Sequence, residues 1–177
     1  MPGLVDHDVD LEVGRHLRAF GNLEQVMGNL AARLVIPTCC PNEFRAAQVL
    51  VERMNAQAVA DAIEILGVHR YSSDIDRQAV RRMARAFSTL AQFRNGVAHR
   101  PPILAMTPEG PQPSLLQSKG RTRKGRDNNP WAEISLDKIR QQTEEIVELT
   151  IEAVSFSNRL DREVPQYLEL PHAPVAS

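Results

Sequence analysis

Apolar residues recur at three- and four-residue spacing through most of the chain, a pattern that predicts four long amphipathic helices. In the first, Val13, Leu17, Phe20, Leu23, Met27, Leu30 and Leu34 line one face between Asp10 and Ile36, and Pro37 stops it. The second runs from an N-cap at Asn42 to about Leu66, with Phe44, Ala47, Val51, Met54, Ala58, Ala62 and Ile65 facing inward and Gly67 as its stop. Ser73 and Asp76 read as a capping box for the third, whose stripe is Ile75, Ala79, Val80, Met83, Phe87, Leu90 and Phe93. Ser135 caps the fourth, which buries Leu136, Ile139, Thr143, Ile146, Val147, Ile151 and Val154 and ends near Leu160.

Between the third and fourth helices the periodicity stops. Pro101 and Pro102 exclude continuation, and the stretch at about 101–133 is rich in proline and glycine. Two apolar arms flank it, Ile103-Leu104-Ala105-Met106 and Trp131-Ala132-Glu133-Ile134, and these are expected to pair as a small β-hairpin. The predicted fold is therefore all-α. It is a four-to-five-helix bundle, one domain over 1–163 interrupted by this insertion, with an extended or mobile tail at 164–177.

Gly14, Gly21 and Gly28 repeat every seven residues along the first helix and so share a stripe without side chains. Each costs a helix about 1 kcal/mol relative to alanine, so three in line predict a neighbouring helix at close range, inside the bundle in preference to a second subunit.

Composition narrows the function classes. The chain has 177 residues, 42% of them hydrophobic, and a formal net charge of -1, which excludes binding to nucleic acid by overall charge and leaves only a local site. Cys39 and Cys40 are adjacent and cannot staple a fold, which points to a reducing cytoplasm. No run approaches the roughly 20 apolar residues of a membrane span, and the acidic start lacks the features of a signal peptide; a soluble cytoplasmic protein without a membrane partner is expected. His7, His16, His69 and His172 are scattered, without metal-ligand spacing. With no phosphate-binding loop, dinucleotide fingerprint or serine elbow either, no metal or cofactor is expected.

The chemistry concentrates in Arg94-Asn95-Gly96-Val97-Ala98-His99, at the end of the third helix. A histidine exchanges protons near neutral pH, a guanidinium holds a phosphate and its developing charge, and an asparagine orients either one. Five residues of ideal helix separate Arg94 and His99 by roughly 140°. Fraying at Gly96, ahead of the two prolines, is expected to let His99 swing towards Arg94. On spacing alone, two basic residues complementing the carbonyl end of a helix dipole are the preferred explanation of the motif. Glu24 is within reach of Arg94 across the bundle but reads as a solvent-facing or structural residue outside the core site.

The motif, with Ala98 before the histidine and a polar Asn95 after the arginine, resembles the Arg-x4-6-His motif of the HEPN superfamily (higher eukaryotes and prokaryotes nucleotide-binding). The helix order is compatible with those bundles of about four or five helices. The resemblance implies a metal-independent endoribonuclease that acts as a homodimer on single-stranded RNA. Arg94, Asn95 and His99 from both subunits would form the site, in a toxin or phage-defence effector with an antitoxin or regulatory protein as partner. It implies attack by the ribose 2′-OH on the neighbouring phosphate. Some members carry a tyrosine two residues after the histidine that a partner modifies; Arg100-Pro101 stands here instead. The run Lys119, Arg121, Arg123, Lys124 and Arg126, with no acid among them, reads equally as an RNA-binding loop that follows a phosphate backbone and as an ordinary solvated loop. The alternative is a catalytically silent helical module that dimerises or binds a protein or nucleotide.

Overall fold

The computed structural model describes residues 3–36, 41–71, 73–99, 102–108, 110–118 and 131–160. It is a helical bundle with one small sheet: α1 (Gly3–Val35), α2 (Pro41–Val51), α3 (Ala56–Arg70), α4 (Asp74–Ala98), β1 (Pro102–Thr107), β2 (Gly110–Ser118), β3 (Trp131–Ser135) and α5 (Leu136–Leu160). Among the described residues no helix is long and apolar enough to cross a membrane. Cys39, Cys40, the basic run 119–126 and the tail 164–177 lie outside the described residues.

Helix α1 is the axis of the molecule and packs against every other helix. Phe20, Leu23, Met27 and Leu30 are buried on it at the three- and four-residue spacing that predicted it. It begins at Gly3, well before the predicted Asp10, because Val9 is itself buried in a second apolar cluster. The main core joins these residues to Ile63 of α3, Met83 and Phe87 of α4, and Ile146 and Phe156 of α5, with Phe20 and Phe87 stacked 5.8 Å apart.

The predicted second helix is two helices. The chain turns at residues 52–55, where Arg53 N donates to Leu50 O and Met54 N to Val51 O, and Asn55 then caps α3 by accepting from Ala58 N at 2.9 Å. Asn42 consequently lies inside α2 and caps nothing. The break resets the helical phase, so α3 buries Val59, Ala60 and Ile63 while Ile65 is 59% exposed. Nor does Gly67 stop the helix. It is buried in α3, and a Cβ there would collide with Val80 of α4, lying 3.0 Å from that residue's Cβ.

Ser73 occupies the N-cap of α4, but its hydroxyl makes no capping bond and Asp76 lies 3.7 Å from Arg159 instead, so the predicted capping box does not form. Ile75, in the first turn, is exposed. In α5, Ser135 caps as expected, accepting from Lys138 N at 3.2 Å. The buried face there is Ile139, Gln142, Ile146, Leu149, Ala153 and Phe156; Val147, Ile151 and Val154 lie on the outer side. That outer stripe has good helical spacing too, which is why periodicity alone did not separate the faces.

The insertion holds a three-stranded antiparallel sheet in the order β1-β2-β3, not a hairpin of the two apolar arms. β2 lies between them, with Pro102 opposite Leu115 on one side and Ile134 opposite Leu115 on the other. Its prolines, Pro111 and Pro113, pair only with β1, in the part that β3 does not reach, so β2 is an edge strand there, where proline is tolerated. Leu115 and Ile134 pack with Val9 of α1, Val97 of α4, and Leu136 and Ile139 of α5 in the second apolar cluster. The sheet thus clamps one end of the bundle.

The glycine stripe meets its expected neighbour at one position only. A Cβ at Gly28 would lie 3.4 Å from Val51 Cγ1 of α2, whereas Gly14 and Gly21 have nothing within 4 Å. Two substitutions should therefore diverge in urea denaturation. Gly14→Ala is expected to stabilise by up to about 1 kcal/mol, because open helix surface gains from alanine. Gly67→Ala should destabilise by about 1–3 kcal/mol, because Val80 must move.

Candidate functional site

The motif lies where α4 enters the sheet end of the bundle. Gly96 and Val97 are buried, Val97 in the cluster with Leu115 and Ile134, so the motif's middle is fixed by the strands of the insertion. The expected fraying at Gly96 does not occur: α4 continues to Ala98, and His99 is its C-cap at φ -115°, ψ 19°. An unbroken helix keeps Arg94 and His99 roughly 140° apart. Within one chain they leave α4 on different sides.

Arg94 is half-buried and held from three directions. Its guanidinium carbon lies 4.9 Å above the Phe20 ring centroid, Nη1 donates to Asn95 Oδ1 at 3.0 Å, and Nη2 lies 3.5 Å from Glu24 Oε1. Glu24 therefore does cross from α1 to orient Arg94, a part that sequence reading had set aside for it. These contacts engage two of the five guanidinium N–H groups and leave others free to bind an anion. Asn95 and His99 are exposed. The structure thus brings Arg94 and Asn95 together, adds Glu24 and Phe20, and sets His99 apart at the end of the helix. Lys119, Arg121, Arg123, Lys124 and Arg126 fall outside the described residues.

Sequence reading also passed over His16. It is fully buried on α1, edge-on to Phe93 at 5.3 Å, with Nδ1 3.0 Å from Thr143 Oγ1 of α5. Thr143 donates its own hydroxyl hydrogen to Ile139 O at 2.7 Å, so it accepts from His16, and the imidazole carries its proton on Nδ1. Nε2 is buried without a partner. Burial, reinforced by the charge of Arg94, lowers the pKa of His16 from 6.5 to about 4. The signal was present in the sequence: His16 continues the buried spacing of Phe20, Leu23, Met27 and Leu30 back by one turn. Among the described residues, no three His, Cys, Asp or Glu side chains gather as a metal site would require.

Compared with protein-family models, curated proteins and solved structures, the chain matches none. Its reading therefore rests on its own residues.

Because His16 is neutral when folded and takes up a proton more readily when unfolded, it favours the fold above pH 6.5. That contribution, up to about 3 kcal/mol, is expected to fade as the pH falls from about 6.5 to about 4. Chemical denaturation across this range checks it against His16→Gln, which keeps a donor for Thr143 but cannot titrate. The variant should lack this part of the slope; parallel profiles would refute the assignment.

Proposed function

We propose that this protein is a HEPN-like, metal-independent endoribonuclease that cleaves single-stranded RNA as a homodimer, in the role of a toxin or phage-defence effector. The observation that carries the reading is the state of Arg94: half-buried, fixed by Glu24, Asn95 and Phe20, and still holding unused donors. A guanidinium held this way is preorganised for a phosphate and for the charge that builds on it during cleavage. His99, exposed at the helix end, supplies the proton transfer.

The reaction needs no group beyond the chain and its substrate. His99 of one subunit, as a neutral base, accepts the proton of a ribose 2′-OH, and the oxygen attacks the adjacent phosphorus. The bond from phosphorus to the 5′-oxygen breaks, leaving a 2′,3′-cyclic phosphate. The imidazolium so formed delivers this proton to the departing 5′-oxygen, while Arg94 of the partner subunit stabilises the pentacovalent phosphorane. Because Arg94 and His99 diverge on one helix, two motifs facing each other across a dimer assemble what a single copy does not. The basic run 119–126 is assigned to the RNA backbone on its charge.

The test is incubation of single-stranded RNA with the protein and EDTA, beside His99→Ala and Arg94→Ala. Cleavage should persist in EDTA, spare single-stranded DNA, and fall at least ~100-fold in both variants, the scale of a lost acid–base group or anion-stabilising donor. Absence of cleavage at high protein concentration would instead favour a silent binding module, a reading supported by the Glu24 carboxylate that already neutralises Arg94.

A separate measurement addresses the loop. Replacing Arg123 and Lys124 together by alanine should weaken RNA binding for all sequences and flatten the log–log salt dependence by ~1.4, the effect of two lost single-strand phosphate contacts. An unchanged slope would remove these residues from the interface.

A further inference from the structure

One cleft beside Arg94 takes no part in the chemistry above. It lies between α1, α2 and the start of α3, measures about 460 Å³, and has Glu24 in its wall, the same carboxylate that pairs with Arg94. That volume is in the range of small-molecule sites. On the α1 side, Gly21 leaves the wall without a side chain, with nothing within 4 Å of where a Cβ would lie, so a flat ligand can approach the backbone. Met54 gives the cleft an apolar, polarisable surface for a ring face.

The polar groups of the cleft are complementary in kind. Gln48 Nε2 donates to Asn29 Oδ1 at 2.8 Å, which engages the oxygen of this lining residue and leaves its NH2 group as the available donor. The carboxylate of Glu52, exposed on the rim, has no hydrogen bond or ion pair among the described residues. The site therefore offers a carboxylate that accepts twice and an amide that donates, beside an apolar surface. With Glu24 and Glu52 in its lining and no basic residue, it repels a phosphate. It suits a neutral, planar ring whose edge presents adjacent donors.

Among the nucleobases, guanine alone has two adjacent donors, N1–H and N2–H, on its Watson–Crick edge, with an acceptor, O6, next to them. We propose that this cleft is a base-recognition subsite that selects guanine, with Glu52 accepting from N1–H and N2–H and Asn29 donating to O6. Glu24 joins the two halves of the arrangement, since it borders the base cleft on one side and holds the phosphate-binding Arg94 on the other. The placing of the phosphate rests on the ribonuclease reading; the base selection does not.

Isothermal titration of the full chain with the 3′-monophosphates of guanosine, adenosine, cytidine and uridine tests the subsite. Guanosine should bind about tenfold or more tighter than the others, the discrimination of a bidentate base contact. Glu52→Gln should bring the four within about threefold of one another. Asn29→Ala should weaken guanosine more than adenosine. Because Glu52 is exposed, its variant should melt at the wild-type temperature, which separates lost recognition from lost folding. Equal binding of all four, no binding at millimolar concentration, or a preference that survives in Glu52→Gln overturns the proposal. A guanosine preference without RNA cleavage would leave the subsite standing and remove the ribonuclease; cleavage without a guanosine preference would do the reverse.

Discussion

Everything in this fold leans on one helix, and the constraint that shapes the rest is how many faces α1 must satisfy at once. A stripe at the spacing of His16, Phe20, Leu23, Met27 and Leu30 buries into the bundle core. That stripe reaches α5 through the His16–Thr143 bond, and a flanking position reaches α4 through Glu24 and Arg94. A 33-residue helix has the length to serve the main core and, through Val9, the smaller cluster under the sheet. Among the outer helices, α5 packs chiefly on α1 and touches α4 little, whereas α4 packs chiefly on α3, itself seated against α1.

That arrangement sets the position of the motif. Val97 is seated in the second cluster, so the insertion that interrupts the helical pattern also determines where the end of α4 lies. Arg94 faces inward, onto Phe20 and Glu24, and His99 faces away. An inward arginine with spare donors and an outward histidine on a rigid helix are poorly suited to act together in one chain. They are well suited to meet the complementary halves of a second copy. The proposed mechanism takes its dimeric form from this divergence as much as from the motif.

The long helices were legible because each carries several turns of a single apolar phase: α4 and α5 are found where the pattern placed them, and α1 ends there but starts seven residues earlier. The break at residues 52–55 was not, since Val51, Met54 and Ala58 keep the helical rhythm across it. Only the capping bond of Asn55 to Ala58 N ends that rhythm. β2 escaped notice because Pro111 and Pro113 argue against a strand, and their tolerance depends on β3 stopping short of them, a tertiary fact. In the site, Arg94 and Asn95 were legible as chemistry, but the straightness of α4 at Gly96 was not. Glycine predicts fraying in an isolated helix, and the burial of Gly96 and Val97 overrides it. Glu24 and His16 were visible as positions on α1. Their roles depend on what α4 and α5 bring to them.

The central claim is that the working site combines Arg94 and His99 from two different chains. The direct measurement mixes two inactive variants, Arg94→Ala and His99→Ala, after joint unfolding and refolding so that subunits exchange, and follows cleavage of single-stranded RNA in EDTA. Mixed dimers hold one intact pairing of Arg94 with His99 across the interface, so activity absent from each variant alone should return in the mixture. A mixture as inactive as its components, beside an active wild type refolded in the same way, would contradict the account.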